Sequence, residues 1–157
     1  VRLVRWPVRE LDALRGRTIR IERETITTGT PLAAATDAKL LDVSFTVSKQ
    51  DAKAFYIMVR GQPMVFDWSS RELRFRTSGP NKVMPDRLYV KLPDDPHLSV
   101  RLLIDTTSVE AFINDGTISA SFCFLPSGHI HPLVLQSYDG EQIIENFEMH
   151  EIASIWA

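Results

Sequence analysis

The chain of 157 residues has one cysteine, Cys123, so no internal disulfide is available to it. No apolar run approaches the roughly 18 residues of a membrane-spanning helix, which excludes a helical span. No basic-then-apolar segment opens the chain. Lysine and arginine are missing altogether from residues 102–157, which carry eight acids, while residues 1–101 hold all 18 bases and 12 acids. The two parts carry +6 and −8, which leaves a net charge of only −2. Seven arginines precede residue 24, but Glu10, Asp12 and Glu22 interleave with them and Glu24 follows, so the electrostatic excess that phosphate binding relies on is absent. Neither a nucleic acid nor a membrane is expected as partner. With 44% hydrophobic residues, a chain of this length buries about two-thirds of its unfolded surface in one domain, without disulfides or a structural metal.

What is present is strand after short strand. Thr18–Ile26, Leu40–Ser48, Ala54–Arg60, Met64–Trp68, Glu72–Thr77, Leu88–Leu92, Val109–Ile113, Thr117–Phe124, Leu133–Tyr138 and Gln142–Met149 are rich in β-branched and aromatic residues. Val100–Asp105 reads the same way, so the acidic part folds and is no tail. Asn114-Asp115-Gly116 and Asp139-Gly140 lie between such segments as hairpin turns. Ten or eleven strands at this spacing predict an all-β fold, a two-sheet antiparallel β-sandwich of jelly-roll-like type. Only Pro7–Gly16 reads as helix: Pro7 suits a first helical position, acids sit early, Arg15 sits late, and Gly16 suits a left-handed stop. Residues 1–16 are therefore a linker with a short helical turn, and residues 17–157 the sandwich. Opening on Val1 without Met, the chain reads as the C-terminal module of a longer gene product.

Several constellations could carry chemistry. Asp105, Glu110 and Asp115 lie close in sequence, as a glycosidase pair would require, but Asp105 and Asp115 fall at turns where Asp bonds its own backbone. Glu110, between Val109 and Ala111, points to the opposite side of its strand, toward solvent, a ligand or a neighbouring domain. His129-Ile130-His131 puts two imidazoles on one face of an extended segment, yet third and fourth metal ligands are missing, and Gly128 and Pro132 mark a loop. No Gly-x-Ser-x-Gly elbow is present, and Cys123 between Phe122 and Phe124 reads as packing. Phe66-Asp67-Trp68-Ser69-Ser70-Arg71 combines an acid, an aromatic and an arginine at a strand end. Sugar sites need an aromatic face for the ring and charged groups for adjacent hydroxyls; a hairpin turn with a packed tryptophan is the other reading.

Leu102-Leu-Ile-Asp-Thr-Thr-Ser-Val-Glu-Ala-Phe-Ile-Asn-Asp-Gly116 resembles a segment of the form Asp-Arg-Ser-Ser-Val-Glu-Val-Phe-x-Asn-Asp-Gly in the C-terminal β-sandwich of glycoside hydrolase family 32, which holds invertases, levanases and inulinases. Pro7–Arg15 resembles the linker that leaves that family's five-bladed catalytic propeller, Phe66-Asp67-Trp68 with Glu72-Leu73 the hairpin around a Tyr-Asp-Arg motif, and Ile152–Trp156 the chain end. The family's catalytic Asn-Asp-Pro, Arg-Asp-Pro and Glu-Cys motifs do not occur here. Three of its arginines are also replaced or displaced, at Trp68, around Arg76-Thr77-Ser78, and at Thr106; Arg74 and Arg76 are the candidates to rebuild their network.

The resemblance implies a module that is not an enzyme by itself, needs no cofactor or metal, and belongs to a fructan-hydrolysing parent of the levanase or β-fructofuranosidase type. It implies carbohydrate binding, with fructans or terminal fructosides as ligand and the propeller as neighbouring domain. The alternative is a purely structural domain that stabilises the propeller or mediates dimers. A secreted or extracellular setting is expected, with the cytoplasm as the alternative. Ligand contact is assigned to Asp67, Trp68, Arg71, Arg74 and Glu110. If the first and last strands are neighbours, Arg17, Arg20 and Arg23 face Glu145, Glu148 and Glu151, which would account for the charge asymmetry.

Overall fold

Strict alternation of apolar and polar side chains needs a partner surface for one face of every strand, and two sheets supply it to each other. The computed structural model describes residues 3–75, 88–126, 128 and 131–153. Twelve strands are described: β1 (Arg15–Ile26), β2 (Leu32–Ala34), β3 (Leu41–Lys49), β4 (Ala54–Val59), β5 (Gln62–Asp67), β6 (Glu72–Phe75), β7 (Leu88–Lys91), β8 (His97–Ile104), β9 (Ser108–Ile113), β10 (Ile118–Cys123), β11 (Leu133–Tyr138) and β12 (Gln142–Ile152). Sheet A has the order β1-β12-β3-β8-β9-β10 and sheet B the order β2-β11-β4-β5-β6-β7, with every pairing antiparallel. This is the expected sandwich, with β2 an addition that three residues were too few to announce.

Between the sheets lies one continuous apolar cluster. Val43, Phe45 and Val47 of β3 and Leu98, Val100 and Leu102 of β8 meet Phe55 and Ile57 of β4 and Met64 and Phe66 of β5. Phe75 stacks on Phe122 with ring centroids 4.4 Å apart, tying β6 of one sheet to β10 of the other. In β12 the register against β3 shifts by one residue between Glu145 and Glu148, where Asn146 has φ +52°. That bulge turns the inward parity from Ile144 to Phe147 and Met149, all fully or almost fully buried. Both Asx-Gly turns take the left-handed conformations that such residues supply, at Asn114, Asp115, Gly116, Asp139 and Gly140.

The N-terminal segment differs from its expectation in form. It is a single 3₁₀ stretch, Arg9–Leu14, with no buried residue; Val8 is its extended cap, so Pro7 precedes the cap rather than opening a helix. Gly16 is not a left-handed stop: Arg15 is extended and the strand begins there. What fixes the segment is polar. Asp42, on the outer face of sheet A and 1% exposed, accepts from Arg101 at 2.9 and 2.9 Å and from Arg15 at 2.7 and 3.1 Å. Asp12 adds an ion pair to Arg15 at 3.1 Å. Trp6 lies over the Arg101 guanidinium, 5.2 Å from its carbon to the ring centroid, and edge-on to Phe112. The Arg5 amide donates to the Gly116 carbonyl at 3.1 Å, and a Cβ at Gly116 would stand 1.8 Å from the Arg5 carbonyl oxygen.

The charge asymmetry resolves as a strand pairing. β1 lies against β12 with Arg20 opposite Glu148 and Arg23 opposite Glu145, each pair joined at 2.8 Å, and Arg17 reaches Glu151 at 4.0 Å.

Two predictions follow from these contacts. Burial by itself would push the Asp42 carboxyl up, but Arg101 and Arg15 together outweigh it and hold it below the usual carboxylate range. Its contribution to stability is therefore full above the unfolded value, about pH 4, and is lost as pH falls through the lower folded value. Asp42→Ala leaves two arginines facing each other and is expected to cost about 3–5 kcal/mol in urea unfolding, with the loss of stability between pH 4 and lower values flattened. The Arg23→Ala/Glu145→Ala double-mutant cycle is expected to return a coupling of only about 0.2–1 kcal/mol, because both side chains are solvated.

Candidate functional site

The outward parity of sheet B collects the groups that chemistry can use. Register places Tyr56, Val65, Arg74 and Tyr89 in one row across β4, β5, β6 and β7, and Ala54, Asp67, Glu72 and Lys91 in the adjacent row. Beyond Ala54 the second row continues to Tyr138 of β11. Tyr56 and Tyr138 pack at a tilt, with ring centroids 6.0 Å apart. They border an open depression of about 340 Å³ whose walls include Pro63, Val65, Asp67, Ser69 and Arg74, with Lys53 at the rim. Lys53 is itself ion-paired with Asp139.

The polar groups of this depression are held in place. One oxygen of Asp67 accepts from the Ser69 amide at 3.0 Å, the Ser69 hydroxyl at 2.6 Å and the Ser70 amide at 3.0 Å, so the turn after β5 fixes the carboxylate. Its second oxygen faces the Arg74 guanidinium at 3.5 Å. Arg74 donates to Glu72 at 2.9 and 3.1 Å and to the Ser70 hydroxyl at 3.1 Å. Lys91 donates to the other oxygen of Glu72 at 2.9 Å. Lys91 and then Arg74 hold the Glu72 carboxyl below its ordinary range. For Asp67, partial burial acts upward, but the Ser69 and Ser70 donors and the Arg74 charge together bring it down. Both carboxylates are thus ionised acceptors, and the arginine is a planar donor whose orientation is set before any ligand arrives.

Of the five residues assigned from sequence, the fold brings two together here, Asp67 and Arg74. Trp68 corrects its expectation: it is 8% exposed, belongs to the core, and donates its indole N–H to the Gln142 side chain at 2.8 Å. It stands one residue past Asp67, so strand alternation turns it inward. Arg71 sits at the turn with φ +53° and pairs with Asp94 at 2.6 Å, beside a smaller hollow that Trp68 also lines, together with Lys49, Leu92 and Pro93. Glu110 is exposed, as its position between Val109 and Ala111 required, but it lies on β9 of sheet A, opposite Leu103 and Ser121. The residues that sequence reasoning missed are Tyr56, Glu72, Tyr138 and Lys53. Tyr56 had a signal, a polar-tipped aromatic between Phe55 and Ile57, both wholly buried.

Cys123 is exposed on β10 between the buried Phe122 and Phe124 and so is not the packed side chain expected, while the remaining candidates take their expected turn roles or fall outside what is described. Asp105 accepts from the Thr106 amide and hydroxyl, and Asp115 has φ +55°. Arg76, His129 and residues 154–157 lie outside the described residues, so the His129/His131 pair, a network through Arg76 and the Trp156 chain end receive no structural account. Among the described residues, no three His, Cys, Asp or Glu side chains are grouped to hold a metal ion.

Comparison with known proteins gives this geometry its context. A family model described as glycosyl hydrolases family 32 C terminal matches residues 10–151. Sucrose-6-phosphate hydrolase of Escherichia coli is 26% identical over 146 residues, which are 92% of this chain and 31% of that protein. Solved structures share the fold. Exo-inulinase from Aspergillus awamori has a TM-score of 0.72 at 18% identity, over 99% of this chain and 33% of its own. Fructofuranosidase from Schwanniomyces occidentalis, complexed with fructose, has a TM-score of 0.71 at 17% identity, over 89% and 34%. This chain spans about a third of the length of the relatives it matches.

The buried indole hydrogen bond of Trp68 can be tested by stability. Trp68→Phe keeps most of the volume but leaves the Gln142 carbonyl oxygen without its donor, and is expected to cost about 1–3 kcal/mol. Thermal or urea unfolding checks the loss.

Proposed function

The chain belongs to the C-terminal domains of family 32 glycosyl hydrolases, and from that premise we propose that it is a non-catalytic module that binds fructans or terminal fructosides on the outer face of sheet B. The observation that carries this reading is the depression in which Asp67 and a pre-oriented Arg74 stand beside Tyr56 and Tyr138. A furanose ring offers adjacent hydroxyls, which a carboxylate and a guanidinium engage in pairs, and a C–H side, which an aromatic edge or face covers. The carboxylates also argue against chemistry at this place. A glycosidase acid needs a raised pKa, whereas Asp67 and Glu72 are both lowered. Hydrolysis is therefore assigned to the part of the parent enzyme that this chain does not span. We place that parent outside the cell, where polymeric fructans are met.

A second reading has its own observation. The segment clamped onto sheet A presents Leu3, Val4, Trp6 and Val8, each about half exposed or more. A strap fixed by Asp42, Arg15 and Arg101 that carries apolar residues outward suits docking of the domain that precedes it, so a structural role toward the propeller or in dimers is compatible with sugar binding. The two roles use opposite faces of the sandwich.

Calorimetric titration of the chain with levan, inulin and fructose tests the first reading. Binding is expected with at least one of them, weakened about tenfold or more in Arg74→Ala, which removes a planar charged donor. Absence of heat with all three would leave the structural role alone.

A further inference from the structure

The depression beside Tyr56 is one end of a longer feature. Arg74 stands two strands beyond Tyr56 in the same row, and Tyr89 one strand further, 57% exposed. Three interstrand steps separate the two tyrosines, about 14 Å at roughly 4.8 Å each. A hexose ring is about as wide as one such step, so the row offers one sugar-sized position per strand. Aromatic groups stand at both ends, with apolar Val65 and the planar Arg74 between them.

Charge says what kind of ligand fits this row. Lys53, Arg74 and Lys91 are matched by Asp139, Asp67 and Glu72, and every one of the six is in an ion pair. Among the described residues the row is neutral in itself, and its oriented carboxylates and guanidinium suit uncharged hydroxyls. Resting on the sugar-binding reading above, we propose that sheet B binds a run of several sugar units of a neutral fructan chain, laid across β4, β5, β6 and β7 from Tyr56 to Tyr89, rather than a single sugar. Tyr89 is the far platform of that run, and the Tyr56/Tyr138 pair the near one.

The test is a length series. The 157-residue chain is titrated with fructose and with linear fructo-oligosaccharides of increasing length, in parallel with Tyr89→Ala and Tyr89→Phe. Affinity is expected to rise about tenfold or more from fructose to chains that fill the row, then to level off. Tyr89→Ala is expected to flatten that rise while leaving the affinity for fructose unchanged, and Tyr89→Phe to preserve it. Because Tyr89 is exposed, unfolding midpoints of all three proteins are expected to coincide. Fructose bound as tightly as the longest oligomer, or a length dependence that Tyr89→Ala leaves intact, would overturn the extended row and leave a single-sugar site standing. No binding of any sugar would instead remove the sugar-binding reading itself, and the row with it.

Discussion

Every strand of a two-sheet sandwich has one inward parity, and that constraint decides almost everything about this molecule. Phe55, Ile57, Phe66, Leu73 and Leu135 fill the interior because they occupy the inward parity of their strands. Whatever the protein does at a sheet surface must use the remaining parity. The rule explains why two neighbours in sequence separate so completely: Asp67 turns outward to meet Arg74, while Trp68 turns inward to Gln142. It also explains the β12 bulge. Without the bulge at Asn146, regular alternation from Ile144 would turn Phe147 and Met149 toward solvent, and the strand would lose its apolar anchor on one side.

The two outer faces hold charge in different ways. On sheet A, Asp42 is buried between two arginines and closed over by Trp6, Asp12 and the 3₁₀ stretch. Ions taken out of water demand nearly complete pairing, so this cluster specifies where the N-terminal segment lies even though it adds little net stability over an apolar equivalent. On sheet B, Asp67, Glu72, Arg74 and Lys91 are paired but remain open to solvent. Their partners orient them without using up the hydrogen-bonding capacity of the carboxylates and the guanidinium. One face is therefore a fastening and the other carries the row proposed for a ligand, with the sandwich core between them.

Much of the fold was legible because β-structure has a short local period. Alternation located every described strand except β2 to within a few residues, and Asn114-Asp115-Gly116 and Asp139-Gly140 marked hairpins whose backbone does adopt positive φ. The pairing of Arg20 and Arg23 with Glu148 and Glu145 was legible too, since opposite charges segregated to the two ends of one chain suggest ends that meet. The N-terminal turn was less so. Its apolar spacing resembles a helix, but the segment settles into a 3₁₀ strap on polar contacts.

The sequence by itself determined the strand count to within one or two, the all-β class and the family, because those follow from local periodicity and from a contiguous motif. Tertiary structure alone decided which outward residues share a face. Glu110 and Asp67 are both outward, yet they stand on opposite sheets, and Tyr56, Arg74 and Tyr89 become neighbours only through the register of β4, β5, β6 and β7. Sheet membership is set by long-range hydrogen-bond pairing and shared burial, neither of which leaves a local mark on the chain.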